Sequence, residues 1–208
     1  MRVFLVGAKA QGRLAHNMII KRGHTVPVVY DRDSSLLPPW ECTFISDEGV
    51  FDEHARQCDG FLVCVAGDRG RDRVAYSTRL SELGLEPVSA VHPASFLGES
   101  VEVGKGLQAM PGAVVNDFAQ IGDYCILNTN CSVDHDCQLG QGVHVMGAAA
   151  IAGEVTIGDF STIGTNATVL PHLRIGKGVY VGAGAVVTKD IPDNAIVVGV
   201  PARVSRYR

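Results

Sequence analysis

The feature that most constrains this chain is a six-residue period that begins at Val91 and runs without insertion to residue 192. In rows of six, the first column is aliphatic down to Val187, the fifth is mostly small or aliphatic, and glycine recurs in the second. One large and one small apolar residue per row favour a short strand followed by a tight corner. Three such rows would close a triangular prism filled by the first and fifth columns, with glycine easing the turns.

The composition agrees with an ordered chain that changes character near residue 91. Sixteen of the 24 glycines follow that residue. Hydrophobic residues make up 46% of the chain and charged residues only 19%, so disorder is not expected. The net charge of −4 is spread evenly, with 11 basic and 12 acidic residues in 1–90 and 7 and 10 in 91–208. We therefore expect no basic surface for nucleic acid.

The amino terminus leads straight into a glycine turn. The opening MRVFLVGAKAQGR contains neither the long apolar region and cleavage site of a signal peptide nor 18 continuous apolar residues. We therefore expect no membrane span and a cytoplasmic protein.

The first ninety residues carry the pattern of a small α/β domain. Arg2–Ala8 is predicted as a buried strand, Gln11–Arg22 as a helix that ends at Gly23, and Thr25–Asp31 as a second strand, which together form a β-α-β unit. Further along lie an apolar run, Phe61–Ala66, a helical segment, Arg71–Leu83, and a short strand, Pro87–Val91. We predict a Rossmann-like parallel sheet over 1–90, followed by an all-β coil of hexapeptide repeats over 91–208.

The turn from Gly7 to Gly12 is similar to a dinucleotide fingerprint whose middle glycine is replaced by Lys9. Without that glycine the backbone cannot approach a pyrophosphate closely, so NAD is not the expected ligand. A strand-to-helix turn still presents backbone N–H groups, so it could hold a nucleotide-linked substrate. The alternative is that the two glycines only permit tight packing. Candidate ligands of this substrate are Lys9, Ala10, Gln11, Asp31, Arg32 and Gly67; Arg32 either pairs with a phosphate or is an ordinary solvated arginine.

The cysteines are predicted to be structural. Cys125, Cys131 and Cys137 all fall in the fifth column, so each should point into the prism as a small packing residue rather than join a metal cluster. The other three, Cys42, Cys58 and Cys64, are scattered through the first half. Buried free thiols are consistent with a reducing compartment.

Several stretches of the repeat region match one family. They are Leu127-Asn128-Thr129, the run from Ser132 to Cys137, His144, Gly153 and the closing Val198–Ala202. An α/β domain followed by an uninterrupted repeat with these motifs resembles the sialic acid O-acetyltransferase-like hexapeptide-repeat proteins, and most of all the bacterial nucleotide-linked 4-amino-sugar N-acetyltransferases. The resemblance implies a left-handed parallel β-helix, acetyl-CoA as cosubstrate, a nucleotide-linked amino-sugar as acceptor, and a homotrimer with sites between subunits.

The resemblance also implies roles for individual residues. His135 would be the general base, Asp136 would increase its basicity, and His144 would contact acetyl-CoA. The coenzyme would lie along later coils, where Gly153, Gly164 and Ala183 are small, and Asn128 would contact the sugar substrate. Two departures concern the acceptor: Gln11 stands where the family usually has a histidine, and Asp31-Arg32 stand where it often has paired acids.

The residues themselves add constraints on this site. His135 is in the third column and His144 in the sixth, so both should point out of the prism. Flanking acids, Asp134 and Asp136, would favour the imidazolium form of His135. The two histidines are half an 18-residue coil apart, so one substrate atom could meet both only if they came from different subunits. Two rival functions stay open: O-acetyl transfer to a sialic-acid-like sugar, and a non-catalytic scaffold that binds a nucleotide-sugar.

Zinc chemistry is the competing use of these histidines, because some hexapeptide proteins resemble carbonic anhydrases. The third candidate ligand, His172, would lie two coils beyond His135, about 10 Å along the axis. The three imidazoles could not share one ion, so no metal is expected.

Overall fold

The computed structural model describes residues 1–208 and divides them into two compact units. The first unit contains Met1–Ala66 and Asp72–Ala90, and the second contains Gly67–Arg71 and Val91–Arg208. The segment Gly67–Arg71, which we had assigned to the amino-terminal domain, therefore groups with the repeat region. None of the α-helices is both long enough and apolar enough to cross a membrane.

The first unit is built on a five-stranded parallel sheet with the strand order β3-β2-β1-β4-β5. Its strands are β1 (Arg2–Val6), β2 (Thr25–Tyr30), β3 (Thr43–Ile45), β4 (Gly60–Val63) and β5 (Glu86–Pro87). Its helices are α1 (Ala10–Ile20), a 3-10 turn (Glu48–Val50), α2 (Phe51–Ala55) and α3, which starts within the Gly67–Arg71 segment (Gly70–Glu82). The strands β1, β2 and β4 are nearly continuous apolar runs, as expected of parallel strands that are covered on both faces.

Strand β3, the 3-10 turn and helix α2 were not predicted from the sequence. Strand β3 and helix α2 are three and five residues long, too short to show a period. Helix α2 nevertheless anchors the core, because the buried ring of Phe51 makes edge-on contacts with Phe4 at 5.0 Å and Tyr30 at 4.8 Å.

The second unit is a coil made mostly of two-residue strands. Successive strands belong in turn to three parallel sheets. Partners in neighbouring coils are 18 residues apart, as in the pairing of Ile126 with His144. The covered face, named for its buried outer side chains, contains β6 (Ala90–Val91), β9 (Gln108–Ala109), β12 (Ile126–Leu127), β15 (His144–Val145), β18 (Thr162–Ile163), β21 (Tyr180–Val181), β23 (Ala195–Val198) and the antiparallel β24 (Arg203–Tyr207).

The other two sheets complete the triangle. The small-residue face contains β7 (Phe96–Leu97), β10 (Val114–Val115), β13 (Ser132–Val133), β16 (Ala150–Ile151), β19 (Thr168–Val169) and β22 (Val186–Val187). The polar face contains β8 (Glu102–Val103), β11 (Gln120–Ile121), β14 (Gln138–Leu139), β17 (Thr156–Ile157) and β20 (Arg174–Ile175). The hexapeptide frame and its parallel strands are thus confirmed.

The interior of the coil is a single apolar cluster formed by the first and fifth columns. It includes Val133, Ile163 and Val169, which are fully buried. Cys125, Cys131 and Cys137 are buried free thiols within the same cluster, as predicted. Burial raises the pKa of the Cys131 thiol to about 12 and also raises the pKa of the Cys137 thiol. These sulfurs therefore fill space and are poor nucleophiles.

Glycine serves the coil in two ways. The left-handed backbone torsion falls in the fourth column, where glycines such as Gly106 and Gly142 adopt it, both with φ of 64°, as do Asp136 and Glu154 with φ of 57° and 62°. The second-column glycines are needed for a different reason, because the next coil is too close: a Cβ on Gly122 would lie 2.6 Å from the carbonyl carbon of Gly140. Stacking distance, rather than torsion, selects glycine there.

This register predicts opposite outcomes for two adjacent residues. Leu139 points into the coil and is 4% exposed, whereas the preceding Gln138 is exposed on the polar face. Replacing Leu139 with Ala should lower the free energy of unfolding by about 2–5 kcal/mol, because it leaves a cavity. The control, Gln138→Ala, should change it by less than about 0.5 kcal/mol. Denaturant titration measures both, and equal losses would contradict the assigned register.

Candidate active site

The three faces of the coil differ sharply in what they present outward. The outer side chains of the polar face are charged or polar and mostly exposed, as for Glu102, Gln120 and Arg174. On the covered face the outer side chains of four successive strands are buried, and these are Gln108, Ile126, His144 and Thr162. The small-residue face instead presents mostly short or aliphatic side chains at intermediate exposure, namely Val114, Ser132, Ala150, Thr168 and Val186, with the exposed ring of Phe96 on its first strand.

His135 lies where the small-residue face turns into the polar face. This edge, which we call the base edge, includes residues 134–137 and 152–155. The side chain of His135 is 54% exposed, and its Nδ1 lies 2.8 Å from Oδ2 of Asp136. The backbone N–H of His135 donates to Oδ1 of Asp134, at 2.8 Å, and that carboxylate also accepts from Nδ2 of Asn116. Asp134 thus holds the backbone of His135, and Asp136 holds its imidazole ring.

The electrostatics of the base edge favour proton acceptance by His135. The hydrogen bond with Asp136 raises the pKa of the imidazole, and the charges of Asp134 and Glu154 act in the same direction. With Nδ1 held by the carboxylate, Nε2 is the nitrogen left to take a proton from a substrate.

Two neighbours of this site were missed by the sequence analysis. Asn116 and Glu154 each lie 18 residues from one of the flanking acids, so the period itself was the signal that could have found them. Glu154 continues the column of Asp136 and makes an ion pair with the next member, His172, at 3.2 Å between Oε2 and Nδ1. Along the coil, this column therefore presents the carboxylates of Asp136 and Glu154 and then the imidazole of His172.

A second set of candidate residues lies on another edge. The second edge joins the covered face to the small-residue face and contains residues 128–131, 146–149, 164–167 and 182–185. Asn128, Gly164 and Ala183 all fall on it, and Ala183 is exposed. Gly164 has no space for a side chain, because a Cβ would lie 2.7 Å from the backbone nitrogen of Ala183. Gly153, by contrast, belongs to the base edge.

His144 lies outside the coil interior but is not open to solvent. Its side chain is on the covered face and only 1% exposed, with Nδ1 3.1 Å from the carbonyl oxygen of Gly67. That oxygen accepts, so Nδ1 carries the proton and Nε2 is an acceptor, which lies 3.4 Å from Nδ2 of Asn128. Direct contact with acetyl-CoA, which the resemblance implies, would require the Gly67 segment to expose the ring.

In the first unit, the turn from Gly7 to Gly12 is closely packed. Gly7 has φ of +101°, and a Cβ on Gly12 would overlap the carbonyl oxygen of Gly7. The glycines therefore do permit tight packing. Asp31 also has an internal task, since its Oδ2 accepts from the N–H of Ala8 at 2.8 Å and its Oδ1 accepts from the N–H of Asp33 at 3.0 Å.

The remaining candidates of the first unit differ in accessibility. Lys9 and Ala10 are exposed, and Lys9 makes an ion pair with Asp33 at 3.3 Å. Gln11 is 8% exposed. Arg32 is exposed, with its guanidinium 5.5 Å from the centre of the Tyr76 ring. The side chains of Lys9 and Arg32 are thus available to an anionic ligand.

No group of three or more His, Cys, Asp or Glu side chains is placed to hold a metal ion. In particular, His135 and His172 belong to two different carboxylate pairs.

Comparison with known proteins shows which family has this architecture. The family described as bacterial transferase hexapeptide (six repeats) matches residues 154–189. The structure of PerB from Caulobacter crescentus in complex with CoA and GDP-perosamine is 31% identical, with a TM-score of 0.90 over 99% of this chain and 98% of that one. The chain belongs to the hexapeptide-repeat sugar N-acetyltransferases.

Other relatives agree with this family. A histidine-to-asparagine mutant of perosamine N-acetyltransferase from Caulobacter crescentus, in complex with CoA and GDP-perosamine, is 30% identical, with a TM-score of 0.91 over 99% of this chain and 97% of that one. The acetyltransferase domain of PglB from Neisseria gonorrhoeae, in complex with acetyl coenzyme A, is 28% identical, with a TM-score of 0.87 over 98% of each chain. GDP-perosamine N-acetyltransferase of Escherichia coli is 36% identical over 79 residues, which span 38% of this chain and only 35% of that relative.

The pair formed by His135 and Asp136 gives a direct test of the electrostatics of this sugar N-acetyltransferase. The substitution Asp136→Asn removes the hydrogen bond to a carboxylate that raises the pKa of the imidazole, so that pKa should fall. The acidic limb of the pH–rate profile should move to lower pH, because a base must be deprotonated to act. NMR titration of His135 checks the pKa, and Glu102→Gln on the polar face is the control. An unmoved His135 pKa would show that Asp136 does not tune the base.

Proposed function

We propose that the enzyme transfers the acetyl group of acetyl-CoA to the amino group of a nucleotide-activated amino-sugar, of the 4-amino-4,6-dideoxy type, with His135 as the general base. The observation that carries the proposal is the exposed imidazole of His135, whose Nδ1 is held by Asp136 while Nε2 is left for a substrate. The nucleotide-sugar in the structures of the Caulobacter relative is GDP-perosamine, which makes a GDP-linked amino-sugar the first substrate to test.

The chemistry requires only a direct attack. The sugar nitrogen forms a bond to the thioester carbonyl carbon, and Nε2 of His135 takes the proton that the nitrogen loses. When the tetrahedral intermediate collapses, the bond from carbon to sulfur breaks, and the imidazolium can return the proton to the leaving thiolate. The products are an acetamido-sugar and free CoA.

The oxyanion of that intermediate needs a hydrogen-bond donor. His144 is poorly suited to this task, because Nδ1–H is directed at the carbonyl of Gly67 and Nε2 is then an acceptor. A backbone N–H is the better donor. We assign His144 an indirect part: it fixes Asn128, whose Oδ1 accepts from the N–H of Thr129 and whose Nδ2 faces the ring.

We further propose that the active enzyme is a homotrimer with shared sites. The small-residue face lies between the two edges that hold the candidate residues, and its short side chains would allow close approach of another copy. If three such faces meet around a threefold axis, the base edge of one subunit faces the second edge of its neighbour. His135 and Gly153 would then meet Asn128, Gly164 and Ala183 of the next chain, with acetyl-CoA between them.

Three further assignments follow the family. The coil is inferred to be left-handed, and the parallel sheet of the first unit to be Rossmann-like with the nucleotide-sugar as its ligand. Exposed cations at Lys9 and Arg32 support that role, and Lys9 in place of the middle glycine argues against a bound dinucleotide. The cytoplasm is retained as the proposed compartment.

The proposed function is tested by replacing the base. His135→Ala should lower turnover about 100-fold or more with the fold intact, since a positioned base contributes about 10²–10⁴. The assay is release of free thiol with acetyl-CoA and a panel of nucleotide-linked 4-amino-sugars, and His172→Ala is the control histidine on the same edge. A folded His135→Ala protein with full activity would refute the mechanism.

The same panel separates the rival functions. Turnover with the hydroxyl analogue of the sugar, but not with the amine, would establish O-acetyl transfer instead. Saturable binding of the nucleotide-sugar without thiol release would establish the scaffold.

The shared site predicts complementation between two inactive subunits. His135→Ala removes the base from one edge, and Ala183→Trp should block the other edge without touching the coil interior, because Ala183 is exposed. Randomly mixed trimers should recover about a quarter of the wild-type activity, because each cleft needs an intact edge from each of two chains. Activity after subunit exchange is the measurement. No recovery despite proven exchange, or full activity of a monomer in sedimentation, would exclude shared sites.

A further inference from the structure

Gly153 continues the column of His135, from which it is 18 residues away. At most second-column glycines a Cβ would meet the backbone of the next coil, as at Gly158, where the backbone nitrogen of Lys177 would lie 2.6 Å away. At Gly153 the three nearest atoms all belong to the imidazole of His135: Cε1 at 2.7 Å, Nε2 at 2.7 Å and Cδ2 at 3.3 Å. The ring of the base therefore occupies the space that a side chain at position 153 would fill.

A side chain at position 153 would displace the imidazole of His135 and would leave the backbone of the coil in place. Gly153 does not have the left-handed φ that would strain another residue. The His135 side chain is 54% exposed, so it can rotate away from a methyl group at little cost. Its hydrogen bond to Asp136 would be lost or lengthened by that rotation.

We propose that Gly153 is a positioning residue for the general base. The absence of a side chain lets the imidazole of His135 lie against the next coil, in the pose where Nδ1 reaches Asp136 and Nε2 faces the substrate. This task is separate from any contact between the Gly153 backbone and acetyl-CoA. The expected loss of activity rests on the proposed function, whereas the effect of Gly153 on the position of the His135 ring does not.

The test combines a titration with kinetics of Gly153→Ala. The groups that act on the His135 ring are Asp134, Asp136 and Glu154, the last of which also pairs with His172. The substitution changes none of these charges, so a shift in the His135 titration must come from displacement of the ring. We expect the pKa of His135 to fall toward that of an ordinary exposed histidine in NMR titration. Turnover should fall about 10- to 100-fold, as expected for a misplaced catalytic group.

The matched control is Gly147→Ala. Gly147 is also on the coil, has no left-handed φ, and has only the carbonyl oxygen of Thr129 near its Cβ position, at 3.4 Å. The His135 titration should be unchanged in this variant. Circular dichroism of both variants shows whether the coil is retained.

A double-mutant cycle tests whether Gly153 acts through the imidazole of His135. If Gly153 acts only through the imidazole, Gly153→Ala should cause no further loss of turnover in the His135→Ala background. A Gly153→Ala protein with an unchanged His135 pKa, or one that loses only affinity for acetyl-CoA with kcat intact, would overturn the proposal. If the proposed function is wrong, the wild-type protein will show no acetyl transfer. The titration of His135 would still test whether Gly153 positions the ring.

Discussion

The parallel backbone ladder between coils is the constraint on which the rest of the second unit depends. From β7 to β22 every strand pairs with the one 18 residues away, so each column of the repeat becomes a line of side chains along the coil. Interior columns merge into one apolar cluster, and outer columns become lines of outward side chains. The arrangement of the proposed site follows from this geometry, because residues that are far apart in sequence, such as His135 and Gly153, are stacked by it.

The period made much of this predictable, since a six-residue repeat fixes which side chains point inward. It placed the three buried cysteines correctly, and it placed His135 at an outer corner. It could not show why glycine recurs in the second column, because the spacing between coils is a property of the assembled ladder. A Cβ on Gly122 collides with the backbone of the next coil, whereas the left-handed torsions fall in the fourth column, on glycines such as Gly142 and on residues such as Asp136.

Features outside the repeat were less accessible to sequence reasoning. The segment Gly67–Arg71 has no period of its own, yet its Gly67 carbonyl covers His144 and fixes which ring nitrogen carries the proton. Helix α2 is too short to be recognised by a hydrophobic pattern, although Phe51 contacts two other aromatic rings of the core. In both cases a long-range contact, rather than a local preference, determines the structure.

The exposed position of His135 creates a conflict between access and basicity. As the proposed base, His135 must reach a large sugar substrate and cannot be deeply buried, so the protein cannot tune its pKa mainly through desolvation. Carboxylates supply the tuning instead: Asp136 bonds the ring, while Asp134 and Glu154 act through charge. A higher pKa makes the imidazole a stronger acceptor but leaves less of it deprotonated at neutral pH. Asp136 and Glu154, which lie in one column on successive coils, therefore act on the same imidazole.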